Sequence, residues 1–532
     1  MLMNDFIVVG AGSAGCVMAR RLSEHGNVTL IEAGPPDHSW DYRLHMPAAL
    51  SQVLSSNWYN WHYESEPEPC LESRRLYCPR GKVMGGSSSV NGMIFVRGNK
   101  GDFNRWSSEY GLSSWDYESC LPYFRKSETA YGSPGSSLDP NFRGSDGPLK
   151  ISRGELKTPL FRAWLDAADQ AGFPTTSDFN GRTQEGSGCF DRSIFKGERQ
   201  NIAKAYLGSL QPSGSLKIIR RATVTRVITE NGRATGVEYL QGGKQHTRNA
   251  GQVVLCGGAI NTPHLLMLSG VGDASGLKAH GIPVISHSPG VGQNLMDHLE
   301  IYVQYACNRP VSLYPETRWF NMPVVGLQWL LARKGAGATN HFETGAFLRS
   351  SESVSYPDLQ FHFLPIAMDY DGKDQYQGHG FQVHVGPMKP TSRGEVTLCS
   401  ANPLAAPRIQ FNYNATEADR SVMRSGIRMA DEIVSQSAFD DYRGARLRPT
   451  VDIDSDDQLD QFVRQFAESA YHPSGTCRMG VDDQAVVDAA GLVRGVSGLR
   501  VVDASIMPEI TNGNLNAPVV MMAEKISALM LA

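Results

Sequence analysis

At 532 residues, with 41% hydrophobic and 20% charged residues, the chain has the composition of a globular protein too long for one ordinary core, so two domains are expected. A formal net charge of -4 argues against a nucleic-acid partner, which would call for a basic stripe. No run approaches the roughly 20 apolar residues of a membrane-spanning helix, so membrane contact is at most peripheral.

Asp5-Phe-Ile-Val-Val is a short apolar run, expected to form a strand buried on both faces of a parallel sheet. It breaks into Gly10-x-Gly12-x-x-Gly15 and then Cys16-Val-Met-Ala-Arg-Arg-Leu, which has the spacing of an amphipathic helix. Gly10 is expected to make the tight turn, Gly12 to let a pyrophosphate approach the backbone, and Gly15 to let helix and strand pack closely. The helix start offers its N–H groups to the phosphates. A second strand, Val28-Thr-Leu-Ile31, ends at Glu32, placed for ribose hydroxyls. Strand, glycines, helix, strand and acid in this order read as a dinucleotide site. The first strand starts too early to leave room for a signal peptide.

Next come the aromatics Tyr59-Asn-Trp61-His-Tyr63, which suit core packing, a lid or a substrate wall. The stretch Pro79-Arg-Gly81-Lys-Val-Met-Gly85-Gly86-Ser87-Ser88-Ser89-Val-Asn91-Gly92 exposes successive backbone N–H groups, the makings of an anion nest. From about 102 to 190 the chain is polar and reads as loops and short helices. Strands return at Leu216-Lys-Ile-Ile, Ala222-Thr-Val-Thr-Arg-Val-Ile and Gly236-Val-Glu-Tyr, and Gln252-Val-Val-Leu enters Gly257-Gly258 and a helix. The N-terminal pattern therefore recurs downstream, as expected if distant segments complete one sheet. Between about 301 and 460, runs such as Ile301-Tyr-Val-Gln-Tyr and Leu359-Gln-Phe-His-Phe indicate a second, antiparallel sheet with helices. Leu499-Arg-Val-Val and Pro518-Val-Val-Met-Met return to a strand and a final helix. Nine scattered cysteines without a C-x-x-C fit a reducing, cytoplasmic compartment better than disulfides or a metal site.

The chain resembles the glucose–methanol–choline (GMC) oxidoreductases, FAD flavoproteins that oxidise alcohols. The resemblance rests on the first glycine triplet, on Gly81-Lys-Val-Met-Gly-Gly-Ser-Ser-Ser-Val-Asn91, and on Gly258-Ala-Ile-Asn-Thr-Pro-His-Leu-Leu-Met-Leu-Ser-Gly-Val-Gly272. Tyr471-His472-Pro, Val502-Asp503-Ala-Ser and Gly513-Asn-Leu-Asn516-Ala-Pro add to it. Tyr59-Asn-Trp61, Asp297-His298-Leu-Glu300, Asn340-His-Phe-Glu343 and Phe361-His362-Phe-Leu-Pro365 resemble its choline-oxidising members in particular. The expected fold is α/β (α+β), a Rossmann-like FAD-binding domain (1–160, 195–300 and 465–532) with a substrate-binding domain (161–194 and 301–464) on an antiparallel sheet. The resemblance implies FAD contacts from Gly10, Gly12, Ser13, Ala14, Gly15, Glu32, Ala33, Arg80, Gly85, Gly86, Ser87, Asn91, Gly92, Met93, Val224, Gly258, Asp503, Ala504, Asn514 and Asn516.

Oxidising an alcohol requires removing the hydroxyl proton and passing a hydride from the carbinol carbon to flavin N5, with a base at neutral pH most naturally a histidine. By resemblance the base is His472, with Asn516 as the partner that stabilises the alkoxide. A quaternary ammonium can be held only by a carboxylate and aromatic faces. Glu300, Trp61 and Tyr471 match those places, His362 matches a further substrate-side histidine, and Trp319 or Phe320 completes the cage. Some relatives attach FAD through a histidine where this chain has Val90, so the FAD is expected to be non-covalent. The implied reaction is choline to betaine aldehyde, and onward to glycine betaine. Another alkyl or aryl alcohol, a flavin-containing cyanohydrin lyase and a non-catalytic flavin protein are the competing readings. Quinone, carrier protein and oxygen all stay open as electron acceptor, as does oligomeric state.

Overall fold

The N-terminal apolar run is strand β1 (Asp5–Val9), which leads through the glycine turn into helix α1 (Ser13–Leu22) and strand β2 (Asn27–Ile31). These come from a computed structural model that describes residues 5–132, 138–208, 215–369, 375–450 and 455–532. The elements that next matter are α2 (Pro159–Gln170), β3 (Gly186–Cys189), β4 (Leu216–Ile219), β5 (Gln252–Leu255) and α3 (Gly258–Leu268). They are followed by β6 (Leu299–Cys307), α4 (Met322–Ala332), β7 (Thr344–Leu348), β8 (Leu359–Leu364) and β9 (Gly380–Pro387). The chain ends through α5 (Glu417–Ser435), β10 (Arg443–Arg448), β11 (Glu468–Ser469), β12 (Leu499–Val501) and α6 (Asn516–Leu531).

Five parallel strands form one sheet in the order β4-β2-β1-β5-β12. Ile7, Val8, Val253, Val254 and Leu255 are fully buried, which is why these strands read as unbroken apolar runs without alternation. β1 leaves the sheet beside β5, in register Val9 with Leu255, so their glycine turns open side by side at the strands' carboxyl ends. That is where an open α/β sheet makes its crevice. Gly10 has φ +94° and a Cβ there would meet the Cys256 carbonyl oxygen at 2.6 Å; a Cβ on Gly15 would lie 1.8 Å from the Gly10 carbonyl oxygen. The turn therefore admits glycine alone at both places.

The second sheet is antiparallel, in the order β10-β6-β9-β8-β7-β3, with β11 added on β6. Its strands alternate. Ile301, Val303, Phe361, Phe363, Val383 and Val385 share one buried apolar core with Trp164 of α2 and Met423 and Ile427 of α5. Glu300, His362, Gln382 and His384 lie at the alternate positions and line the cavity described below. One face of the sheet is thus core and the other is site.

β6 begins at Leu299 and β11 lies at Glu468–Ser469, so the substrate sheet takes segments from both sides of the expected divisions at 300 and 465. The 102–190 region holds helices Lys100–Glu109 and Tyr117–Ser127 as well as α2, which is 12 residues long. These helices and the turn between the first two bury Trp106, Trp115 and Trp164 completely. Polar outer faces masked that apolar spacing in the sequence. Among the described residues no helix is long and apolar enough to cross a membrane.

Candidate active site

A single cavity of about 1280 Å³ runs from the Gly10–Ser13 turn and Glu32, past Arg80, Ser87 and Asn91, to Glu300, His362, His384 and His472. At the first end, Glu32 at the end of β2 is buried and accepts the Ala11 N–H on one carboxylate oxygen and the Gly34 N–H on the other, each at 2.8 Å. Burial pushes it up to about 7. α1 starts at Gly12 with no side-chain cap, which leaves its first N–H groups available. A Cβ on Gly12 would have no neighbour closer than 4.0 Å, and those on Gly92 and Gly258 none within 4 Å, so this floor is open. The uncapped helix start, the open glycine floor and the buried acid fit a dinucleotide flavin.

The expected cofactor residues line this cavity except for two. Gly15 lies beneath the turn, where close packing is its work. Gly85 (φ +89°) instead supports the nest, donating its N–H to the Ala11 carbonyl at 2.7 Å and opening the short turn Gly86–Ser89. Asp503 is locked by the Gly258 N–H (2.9 Å), the Thr262 hydroxyl (2.6 Å) and the Ser505 N–H (2.8 Å). Asn91 accepts from the buried Arg199 at 2.9 Å.

At the other end, His472 follows Tyr471, whose φ of +66° sets up a tight loop. Buried Asp297 pins that loop. It accepts the His472 N–H at 2.6 Å, the Ser469 hydroxyl at 2.5 Å and the Tyr413 hydroxyl. Arg80 donates to the Tyr471 carbonyl at 2.6 Å. The His472 imidazole lies between His298 (Nδ1 to Nδ1, 3.0 Å) and Asn514 (Nδ2 to Nε2, 3.1 Å). Burial first, then His298 and Arg80, hold His472 well below the usual imidazole range, so the ring is neutral.

Asn514 makes the hydrogen-bond contact with His472, and the expected partner Asn516 lines the same cavity. It starts α6, and its side-chain oxygen accepts the Ser13 hydroxyl at 2.6 Å. Asn514, two residues earlier on the entering loop, takes the place beside the imidazole. The two asparagines share one motif, and only the path of the chain into the helix separates their targets.

On the substrate side, Glu300 is buried. His384 donates from Nδ1 to its Oε1 at 2.9 Å, and His362 Nδ1 lies 3.8 Å from its Oε2. Burial holds His362 at about 4. Trp61 and Tyr471 line the same cavity, and the Lys82 ammonium sits 4.4 Å from the Trp61 ring. Trp319 also lines this cavity, ahead of α4, but is 81% exposed and stands beside half-exposed Phe320. His298, His384 and Gln382 were missed as site residues. The pattern Gln382-Val-His384-Val, polar at every second position of a strand, was the available signal.

GMC oxidoreductase family descriptions match residues 4–300 and 390–523. The chain is 50% identical to an oxygen-dependent choline dehydrogenase of Chromohalobacter salexigens, over 98% of this chain and 94% of that one. It is also 50% identical to one of Pseudomonas syringae pv. tomato, over 98% and 92%. Among solved structures, pyridoxine 4-oxidase from Mesorbium loti superposes with TM-score 0.88 at 29% identity, covering 99% of this chain and 98% of that one. A formate oxidase of Aspergillus oryzae RIB40 reaches TM-score 0.92 at 28% identity, covering 99% and 97%. The expected two-domain fold and FAD chemistry on CH–OH donors stand, and the chain belongs to the GMC oxidoreductase family.

Proposed function

We propose that this enzyme oxidises choline to betaine aldehyde, and that the buried carboxylate of Glu300, in the same cavity as His472 and Asn514, carries the substrate preference. A carboxylate with aromatic walls is the arrangement that holds a cation lacking hydrogen-bond donors. The relatives named for choline support the same reading.

Bound FAD, held by Gly12, Ser13, Glu32, Asn91 and Asp503, would supply the hydride acceptor. The protein's own part is proton handling and orientation. His472 Nε2 accepts from the Asn514 amide, so the ring proton sits on Nδ1 and points to His298. A substrate hydroxyl that replaces this contact would donate to Nε2 and lie within reach of the Asn514 N–H. His472 then takes the proton and Asn514 stabilises the alkoxide. Trp61 and Tyr471 wall the ammonium end near Glu300. Because Val90 offers no nucleophile, FAD is held non-covalently. Nine cysteines without a disulfide support a reducing, cytoplasmic setting.

An anaerobic titration of the flavin-loaded enzyme with choline tests the reading. Prompt bleaching of the flavin absorbance is expected. Bleaching by uncharged alcohols but not by choline would remove Glu300 as the ammonium anchor. No bleaching by any alcohol would defeat alcohol oxidation altogether.

A further inference from the structure

Behind the cofactor side of the cavity lies a fully buried guanidinium. Arg199 belongs to a short hairpin in which Ile194–Phe195 pairs with Glu198–Arg199. The chain after it closes on the back of the nest, where the Ile202 N–H donates to the Ser88 hydroxyl at 3.0 Å. One Arg199 nitrogen, Nη1, donates to the Asn91 carbonyl at 2.6 Å and to Asn91 Oδ1 at 2.9 Å, and lies 3.5 Å from the Ser88 carbonyl. Its Nε and Nη2 are buried without a hydrogen-bond partner. Among the described residues no carboxylate forms an ion pair with it. The acid it feels, Asp37, already accepts from Asn201 at 2.6 Å and lies 3.2 Å from His45 Nε2. Burial brings the guanidinium down to about 9, so it keeps its charge at neutral pH. Burying such a charge is costly, and the cost falls when a negative group comes close.

Asn91 connects this charge with the cavity that it lines. Its Oδ1 also accepts the Met93 N–H at 3.1 Å. A guanidinium and a backbone N–H can only donate, so Oδ1 is the inner end of the amide and Nδ2 is the end left for the cavity. The next carbonyl, that of Gly92, accepts from Asn340 Nδ2 at 2.6 Å, and Asn340 stands on the loop before β7 of the substrate sheet. Asn91 is therefore fixed where the cofactor half and the substrate half meet. A hydride passing from an alcohol to a flavin crosses that junction, so the ring belongs there, while the diphosphate belongs to the helix start at Gly12.

We infer that Arg199 is a positioning residue that holds Asn91 and keeps a fixed positive charge behind the flavin ring, favouring the reduced flavin over the oxidised one. The inference rests on FAD as the cofactor and not on which alcohol is oxidised. An oxidised flavin ring is neutral, and uptake of two electrons and one proton leaves it negative. A fixed cation close by stabilises the second state more than the first, which makes the bound flavin a stronger hydride acceptor. Arg199 acts through Asn91 and the wall of the cavity, and the proton-transfer pair at His472 and Asn514 is separate from it.

The test measures the midpoint potential of the bound flavin by equilibration with a reference dye, in flavin-loaded wild type, Arg199→Gln and Arg199→Lys. No alcohol is present, so the outcome is independent of the choline reading. The pH is held at about 6, where a buried lysine keeps its proton. In an effective dielectric of about 20, a unit charge about 10 Å away moves an equilibrium by roughly tenfold, or about 30 mV for a two-electron couple. Arg199→Gln, which can still donate to Asn91 but carries no charge, should lower the potential by that amount. Arg199→Lys keeps the charge and gives up the planar fork, and should stay near wild type. A wild-type potential in Arg199→Gln overturns the inference. An equal drop in both variants does so too, because it traces the effect to the shape of the nest. A loss of affinity that is equal for oxidised and reduced FAD would assign the charge to the diphosphate and also overturn it. Should Arg199→Gln fail to hold flavin, Arg199→Lys decides: an unchanged potential supports the inference and a tenfold drop refutes it.

Discussion

Replacing Asn514 and Asn516 one at a time by alanine separates two residues that sit on a single short motif. Asn514 Nδ2 is 3.1 Å from His472 Nε2, so an alkoxide formed against that nitrogen loses its neutral donor in Asn514→Ala. Removing one such donor costs about 2.7–4 kcal/mol of transition-state stabilisation, or about a hundred- to thousandfold in rate. Asn516 bonds the Ser13 hydroxyl at the far end of the cavity, at the start of α1. Its loss removes one neutral hydrogen bond, about 0.5–1.5 kcal/mol, and should appear as weaker flavin retention with less than about a tenfold effect on rate. Anaerobic stopped-flow reduction of the bound flavin at saturating choline measures the chemical step directly, and the flavin-to-protein absorbance ratio reports retention. A slowing in Asn516→Ala as large as in Asn514→Ala would refute the assignment of the partner to Asn514.

Asp297→Ala should destabilise the protein by about 3 kcal/mol or more, because the His472 N–H and the Ser469 and Tyr413 hydroxyls lose their shared acceptor inside the fold; a denaturant midpoint equal to wild type would contradict this. Stability should be full above about pH 6.5 and fall as the pH drops toward 4. Burial holds His264, His341 and His362 at about 4 and His298 at about 3, so in that window the unfolded chain binds protons that the folded chain does not. Glu32, held up at about 7, opposes this, as do Glu68, Asp297 and Asp503, which burial also raises, and His45, where the Asp37 carboxylate outweighs burial. Melting temperatures that stay level or rise between about pH 6.5 and 4.5 would refute the balance. Acid precipitation should release all of the flavin into the supernatant, since Val90 offers no attachment atom; flavin in the pellet after washing would overturn non-covalent binding.

The cofactor half of the molecule was legible because its signals are local. A parallel strand buried on both faces must be an apolar run, and the turn after β1 tolerates only glycine where a Cβ would strike Cys256 or Gly10. Both constraints are written in a dozen consecutive residues. The alternation of Leu359-Gln-Phe-His-Phe likewise exposed a sheet with two unlike faces. What no local pattern could fix was which polar group meets which. Asn514 and Asn516 are two residues apart, yet one reaches His472 and the other Ser13, because the chain turns into α6 between them. His472 is held by Asp297, 175 positions away in sequence, and Glu300 by His384, 84 positions away. Trp319, expected in the cage, lines the cavity with most of its surface in solvent. The sequence determined the fold and the glycine turn through short-range sterics and periodicity, whereas His472 was named by resemblance. The hydrogen-bond partners were decided by the tertiary structure, since a donor finds its acceptor only when the strands and loops that carry them are packed together.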